Sequence, residues 1–293
     1  MAVFAAPATA QLATGANWQG AVRHAAHAAP EARVVVLDIG SNRVLAGHHL
    51  TEAARTLAAP GSSLKPLILY QLIEASRWNP DRRIACDRSL AIDGHRLACS
   101  HPPAQPFDAR EALAWSCNTY FAQMARSLSP GELGRIFRRA GLLASTGLTL
   151  KEGVPEAAAE FREPATPDQM QLTVLGVEGI RITPLELAAA YRWLALETAT
   201  HPDSIASQMV LGGLMDSASF GMANTASLGG ASVAGKTGTA EGAATAQTHG
   251  WFAGLFPADH PRVVVAVYLP SGHGADAARV AGDVLAHVRG VQP

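Results

Sequence analysis

Ala59-Pro60-Gly61-Ser62-Ser63-Leu64-Lys65-Pro66 is the stretch on which the reading of this chain turns. Pro60-Gly61 interrupts the preceding segment, and Ser62 stands where a helix begins. Leu64, Leu67, Ile68, Gln71 and Leu72 then recur at helical spacing and give that helix a buried face. Lys65 follows Ser62 by one turn, so both side chains fall on the same side. Serine is a weak nucleophile near neutral pH and needs a neighbouring base. Lysine can be that base if its titration point falls by about 3 units, a cost of roughly 4 kcal/mol. Burial and a second cation are the two ways to lower it. The Ser62 N–H, at a helix start, also lies where negative charge would develop on a carbonyl oxygen. Alone, the pattern equally describes a capping serine and a solvated lysine.

Two further motifs change the balance. Trp115-Ser116-Cys117-Asn118-Thr119-Tyr120-Phe121 sits at a junction of two helical segments, and Gly235-Lys236-Thr237-Gly238-Thr239 sits in a strand-like segment near the end. Lys65, Lys151 and Lys236 are the only lysines. A chain that otherwise uses arginine has kept, at two motif positions, the cation that can lose its proton. Lys236 would be the second cation. Ser116 could relay a proton to a leaving amine, and the Asn118 amide can both donate and accept toward a peptide substrate. Gly238 would let a substrate backbone approach closely, while Lys236, Thr237 and Thr239 suit a carboxylate. The ordinary alternatives are a capped helix break at Ser116 and a plain strand at Gly238. No G-x-S-x-G elbow is present, and His24, His27, His48, His49 and His95 read as surface or satisfied core residues, which disfavours a Ser-His-Asp hydrolase.

With 293 residues and 48% hydrophobic content the chain can bury a full core as one large domain or two interlocked lobes. A net charge of -1 with 16% charged residues gives no reason to expect nucleic acid or an anionic membrane as partner. No run approaches the roughly 18 apolar residues that cross a bilayer. Residues 1–31 read as a leader and a first helix. Met1–Thr14 is Ala-rich with Ala8-Thr9-Ala10, either the tail of a secretory signal or a disordered leader; it lacks a basic start, and Pro7 interrupts it. Cys86 and Cys99 flank a segment containing the hairpin-turn signal Asp93-Gly94. The reading favours a bridge between them, worth roughly 3 kcal/mol, over two free thiols. Cys117 is expected to pack as a small apolar side chain. No metal site is expected from these cysteines, because neither C-x-x-C nor clustered histidine spacing accompanies them. No cofactor is implied.

The rest of the chain supplies the frame. Residues 17–27 suit a helix, and 33–38 and 43–47 suit a strand hairpin. Residues 80–106 read as irregular. Helices are expected from Asp108 to Trp115, from Asn118 to about Ser127, and from Ser129-Pro130 to Gly141. Thr183-Pro184-Leu185-Glu186 is a capping box that opens a helix to about Leu196. Strands follow at 232–240, 250–256 and 262–269, then a helix at 276–288. The expected fold is α/β (α+β): a mostly antiparallel sheet from N- and C-terminal strands flanked by helices, plus a central helical lobe. Its single domain covers 32–293, with a sheet lobe at about 32–60 and 220–293 and a helical lobe at about 61–219.

These residues resemble the transpeptidase domain of penicillin-binding proteins, within the active-site serine family that includes serine β-lactamases. Similar segments are Pro60–Pro66, Ala112–Phe121, Ile180–Tyr191, Ala234–Glu241 and Gly250–Pro257, and the Cys86/Cys99 pair also resembles a feature of some members. The resemblance implies that Ser62 attacks the penultimate D-Ala of a peptidoglycan stem peptide, with Lys65 taking its proton and Ser116 and Lys236 relaying it. It implies that Thr237 and Thr239 hold the terminal carboxylate, beside an oxyanion hole from the Ser62 and Thr239 backbone N–H groups. It further implies penicillin as a covalent inhibitor, a periplasmic or other extracytoplasmic location and cell-wall synthesis proteins as partners. Within the family the alternatives are a β-lactamase, against which stand the absence of an E-x-x-L-N segment and the presence of Asn118, and a D,D-carboxypeptidase. Outside catalysis the alternative is a β-lactam sensor or peptidoglycan-binding module.

Overall fold

β-Branched residues at both ends of the chain meet at the centre of the molecule. The computed structural model describes residues 17–102, 106–148, 155–227, 232–241 and 247–290; the leader up to residue 16 and Lys151 lie outside them. β1 (Arg33–Asp38) pairs antiparallel with β9 (Val263–Leu269), placing Val34 opposite Val267 and Val36 opposite Val265. β2 (Val44–His48), β8 (Thr248–Phe256) and β7 (Ala234–Glu241) complete a five-stranded sheet of order β2-β1-β9-β8-β7, antiparallel throughout, while β5 (Glu160–Phe161) and β6 (Ile180–Arg181) pair apart from it. β9 is buried at every position, as its unbroken apolar run requires of a strand covered on both faces.

The two-residue period of the strands divides two cores. Val34, Val36, Phe252, Val265 and Val267 face one side, where α1 (Trp18–Ala28) and the C-terminal helix Gly274–Gly290 close over them with Trp18, Val22, Val284 and Leu285. Val35, Leu37, Trp251, Ala253, Val264 and Ala266 face the helical lobe. That lobe contains α2 (Leu50–Ala53), α3 (Lys65–Glu74), α4 (Ala109–Ala114), α5 (Asn118–Ala125), α6 (Glu132–Arg139), α7 (Pro167–Val174), α8 (Pro184–Thr200) and α9 (Ile205–Ser219); the C-terminal helix is α10. α3 is buried from Lys65 through Ile73, so it is the axis of the lobe rather than a helix with one wet face.

The capping box expected at Thr183 forms: Glu186 N–H donates to Thr183 Oγ1 at 3.1 Å and Thr183 N–H to Glu186 Oε2 at 2.8 Å. α8 then reaches back to the nucleophile region, where Tyr191 OH donates to the Ser63 carbonyl at 2.9 Å. The hairpin-turn signal is borne out: within the segment otherwise read as irregular, β3 (Ser89–Ile92) and β4 (His95–Ala98) are turned by Asp93 and Gly94 at φ 44° and 81°, as an Asp-Gly two-residue turn demands. Other details differ from expectation. α6 starts at Glu132, after Gly131 at φ 74°, because Ser129-Pro130 form the approach to the helix and not its first turn. Cys86, Cys99 and Cys117 are free thiols, so the bridge expected between Cys86 and Cys99 is not formed.

Candidate active site

The Ser62 turn, the junction between α4 and α5, and edge strand β7 converge on one cleft. Gly61–Leu64 is a single 3-10 turn that runs directly into α3. Gly61 has φ +54°, and a Cβ there would lie 2.6 Å from the Thr239 carbonyl oxygen. A Cβ on Gly238 would lie 2.3 Å from the Pro60 carbonyl oxygen. Strand β7 therefore rests on the turn with backbone against backbone. The sequence reading gave the open space at Gly238 to a substrate; the structure fills it with the protein's own Pro60. Trp251 Nε1 and His249 Nε2 both bond the Ala59 carbonyl, at 2.9 and 2.8 Å, and pin the turn to the sheet.

Lys65 is fully buried. Its Nζ donates to Asn118 Oδ1 at 2.8 Å, to the Ser116 carbonyl at 3.0 Å and, at a longer 3.4 Å, to Ser116 Oγ, and it lies 4.9 Å from the centre of the Phe121 ring. Burial lowers its pKa from 10.5 to about 8, against the opposing pull of negative charge on Cys117, Cys99 and Cys86. Ser62 is half-buried, and its hydroxyl bonds to no partner among the described residues. A backbone bond from the Lys65 N–H to the Ser62 carbonyl fixes the two residues one turn apart. Catalytic hydrogen bonds are commonly long before substrate is present.

Ser116 has an uncommon backbone. It adopts φ +56°, and its N–H bonds the Leu113 carbonyl while the Cys117 N–H bonds the Ala112 carbonyl. That pair of bonds is a Schellman motif ending α4, in which the left-handed position is usually glycine. Serine there costs about 1–2 kcal/mol, and strain of this kind persists where a side chain is needed at that point. Asn118 opens α5. Its Oδ1 holds Lys65, its Nδ2 donates to the Ala98 carbonyl at 3.0 Å, and its backbone N–H donates to Cys99 Sγ at 3.2 Å. The amide expected to meet substrate is thus engaged by the protein and orients the lysine.

Lys236 is also fully buried, its Nζ donating to the Thr237 carbonyl at 3.0 Å. Burial first, and the Lys65 cation second, hold its pKa well below the lysine value. Thr237 is buried and Thr239 exposed, with Thr239 Oγ1 accepting from the Gly274 N–H at 2.9 Å. Two buried lysines of lowered pKa, the Ser116 hydroxyl at a left-handed backbone position and the Ser62 hydroxyl are thus brought into one region of the fold.

Comparison with known proteins places the chain in a family. The family described as "Penicillin binding protein transpeptidase domain" matches residues 32–288. The chain belongs to this family. A curated relative, the probable peptidoglycan D,D-transpeptidase PenA of Neisseria flavescens, is 26% identical over 306 aligned positions, which cover 89% of this chain and 75% of the relative. A solved peptidoglycan glycosyltransferase from Burkholderia ambifaria superposes with a TM-score of 0.80 at 20% identity, covering 94% of this chain and 96% of that one. The transpeptidase domain of Burkholderia pseudomallei penicillin-binding protein 3 gives 0.78 at 21% identity over 93% and 92% of the two chains. The D,D-transpeptidase domain of a peptidoglycan glycosyltransferase from Eggerthella lenta gives 0.77 at 20%, over 94% and 82%. These likenesses confirm a penicillin-binding transpeptidase fold of helices around an antiparallel sheet.

Proposed function

We propose that this domain is a peptidoglycan D,D-transpeptidase that works through an acyl-enzyme on Ser62. The observation that carries the reading is the burial of Lys65 against Ser116 and Asn118, which lowers its proton affinity, with a second buried lysine, Lys236, whose own pKa burial and the Lys65 cation hold down. In its neutral form Lys65 accepts the Ser62 hydroxyl proton as Ser62 Oγ bonds to the carbonyl carbon of the penultimate D-Ala. The oxyanion is met by the Ser62 and Thr239 backbone N–H groups. The carbon–nitrogen bond to the terminal D-Ala then breaks, and Ser116 passes a proton to that amine. Thr237 and Thr239, beside Lys236, hold the terminal carboxylate. An amine of a second stem peptide attacks the Ser62 ester, restores the hydroxyl and leaves a cross-link.

A substrate of this kind places the domain outside the cytoplasm, with cell-wall synthesis proteins as partners. Among the described residues no helix is long and apolar enough to cross a membrane. The test is mass spectrometry after incubation with a penicillin, followed by assays on stem-peptide monomers and dimers. A stable adduct absent from Ser62→Ala, together with dimer formation, supports the proposal. Rapid drug hydrolysis without adduct would make the enzyme a β-lactamase, release of D-Ala without dimers a carboxypeptidase, and neither adduct nor turnover a binding module.

A further inference from the structure

Beside Ser116 and Asn118, three short segments between residues 86 and 117 bring Cys86, Cys99, His101 and Cys117 together. One ligand atom from each lies within 4.8 Å of all the others. We propose that these four residues form a structural zinc site that locks the β3–β4 hairpin to the Ser116–Asn118 junction.

The donor set and its surroundings support this reading independently. Three thiols and one imidazole match the sulfur-rich, four-ligand sites that close around structural zinc. Tetrahedral bonds of about 2.3 Å to sulfur and about 2.0 Å to nitrogen place donors about 3.5–3.8 Å apart, so the observed cluster needs only a small contraction. His101 is buried, and its Nε2 has no hydrogen-bond partner. Its Nδ1 lies 2.7 Å from the Pro102 carbonyl, which can only accept, so Nδ1 carries the hydrogen and Nε2 keeps a free lone pair. The Arg88 guanidinium, 3.2 Å from the same Nδ1, is held by the His101 carbonyl instead. A histidine with one nitrogen fixed by a carbonyl and the other free is arranged as metal ligands usually are.

The sulfurs are similarly prepared. The Asn118 N–H donates to Cys99 Sγ at 3.2 Å, and the Arg88 N–H points to Cys86 Sγ at 3.4 Å. Backbone donors of this kind favour thiolate, the form that binds metal. Cys99 and Cys117 are buried and Cys86 is half-buried. Cys117 lies between Ser116 and Asn118, so an ion on its sulfur would fix both neighbours in the cleft. With four protein ligands no coordination position is left for water or substrate, and the ion would act on position alone. The sequence reading expected no metal because the spacing, Cys86-x12-Cys99-x-His101-x15-Cys117, contains no C-x-x-C pair.

Zinc and cobalt loading test the proposal. The full chain is purified with reductant, stripped of metal by chelation, and titrated with zinc and separately with cobalt(II). One tightly held zinc per chain is expected, restoring the melting temperature lost on stripping, together with the thiolate-to-cobalt charge-transfer band and intense visible bands of a tetrahedral sulfur site. His101→Ala and Cys86→Ser are expected to lose the stoichiometric metal and the charge-transfer band. Should either variant fail to fold, metal content and cobalt spectra of the reduced wild-type chain still decide. Reduced wild-type chain that takes up no metal, or gives the weak spectrum of octahedral cobalt, overturns the proposal; so does a folded His101→Ala with an unchanged cobalt spectrum. These measurements read metal alone, so they stand or fall separately from acylation.

Discussion

Replacing Ser116 by glycine and by alanine separates the backbone strain at this residue from its chemistry. Both variants lose the hydroxyl that lies 3.4 Å from Lys65 Nζ. Only glycine removes the left-handed penalty at φ +56°. That penalty is about 1–2 kcal/mol, and the looser unfolded chain of glycine returns about 0.5–1 kcal/mol of it. The glycine variant should therefore be more stable than the alanine variant by about 0.5–1 kcal/mol, or roughly 2 °C in melting temperature for a chain of this size. Both should be acylated at least about 100-fold more slowly than wild type, the lower end of general acid–base contributions. Calorimetry gives the first quantity and stopped-flow reaction with a fluorescent penicillin the second. Equal melting temperatures would refute the strain argument, and a glycine variant that acylates at the wild-type rate would refute the relay.

Other outcomes follow from the same geometry. Asn118→Asp sets a carboxylate against Lys65 and raises its pKa above about 8. The acylation rate at pH 7 should fall about tenfold for each unit of that rise and recover at higher pH; a pH profile that does not move shows that Lys65 is not the base. Gly238→Ala drives a methyl group into the Pro60 carbonyl; a loss of about 2 kcal/mol and of acylation is expected in thermal melts and adduct assays. An undisturbed Gly238→Ala protein would mean that β7 does not rest on the turn. Glu186→Ala removes the acceptor of the Thr183 and Ala159 N–H groups, each at 2.8 Å. A loss of about 2 kcal/mol should appear in denaturant melts while the folded fraction acylates normally, and a selective loss of acylation would place Glu186 in the cleft chemistry.

The meeting of Lys65 with Ser116 and Asn118 was legible in the sequence, because three short motifs in one order carry two of the few lysines of a chain that otherwise uses arginine. The sheet was legible because Val34–Val36 and Val263–Val267 can only be strands buried on both faces. α9 was not anticipated: its apolar residues surround the helix instead of forming a stripe, and Gly212-Gly213 weakens its propensity. The left-handed Ser116 gave no sign, since serine does not announce positive φ as glycine does. Nor could the hydrogen bond from Lys65 to Asn118 be read, because it depends on where α3 and α5 cross.

The pairing of β1 with β9 has a consequence for the newborn protein. Arg33 waits for Tyr268, so during synthesis a strand rich in valine has a bare edge until more than 200 later residues have left the ribosome. A chain halted before residue 236 would have Ser62 and Lys65 but neither Lys236 nor a complete sheet. Reactivity toward a drug should then arrive late and all at once, and unfinished chains should stick to one another before they can react.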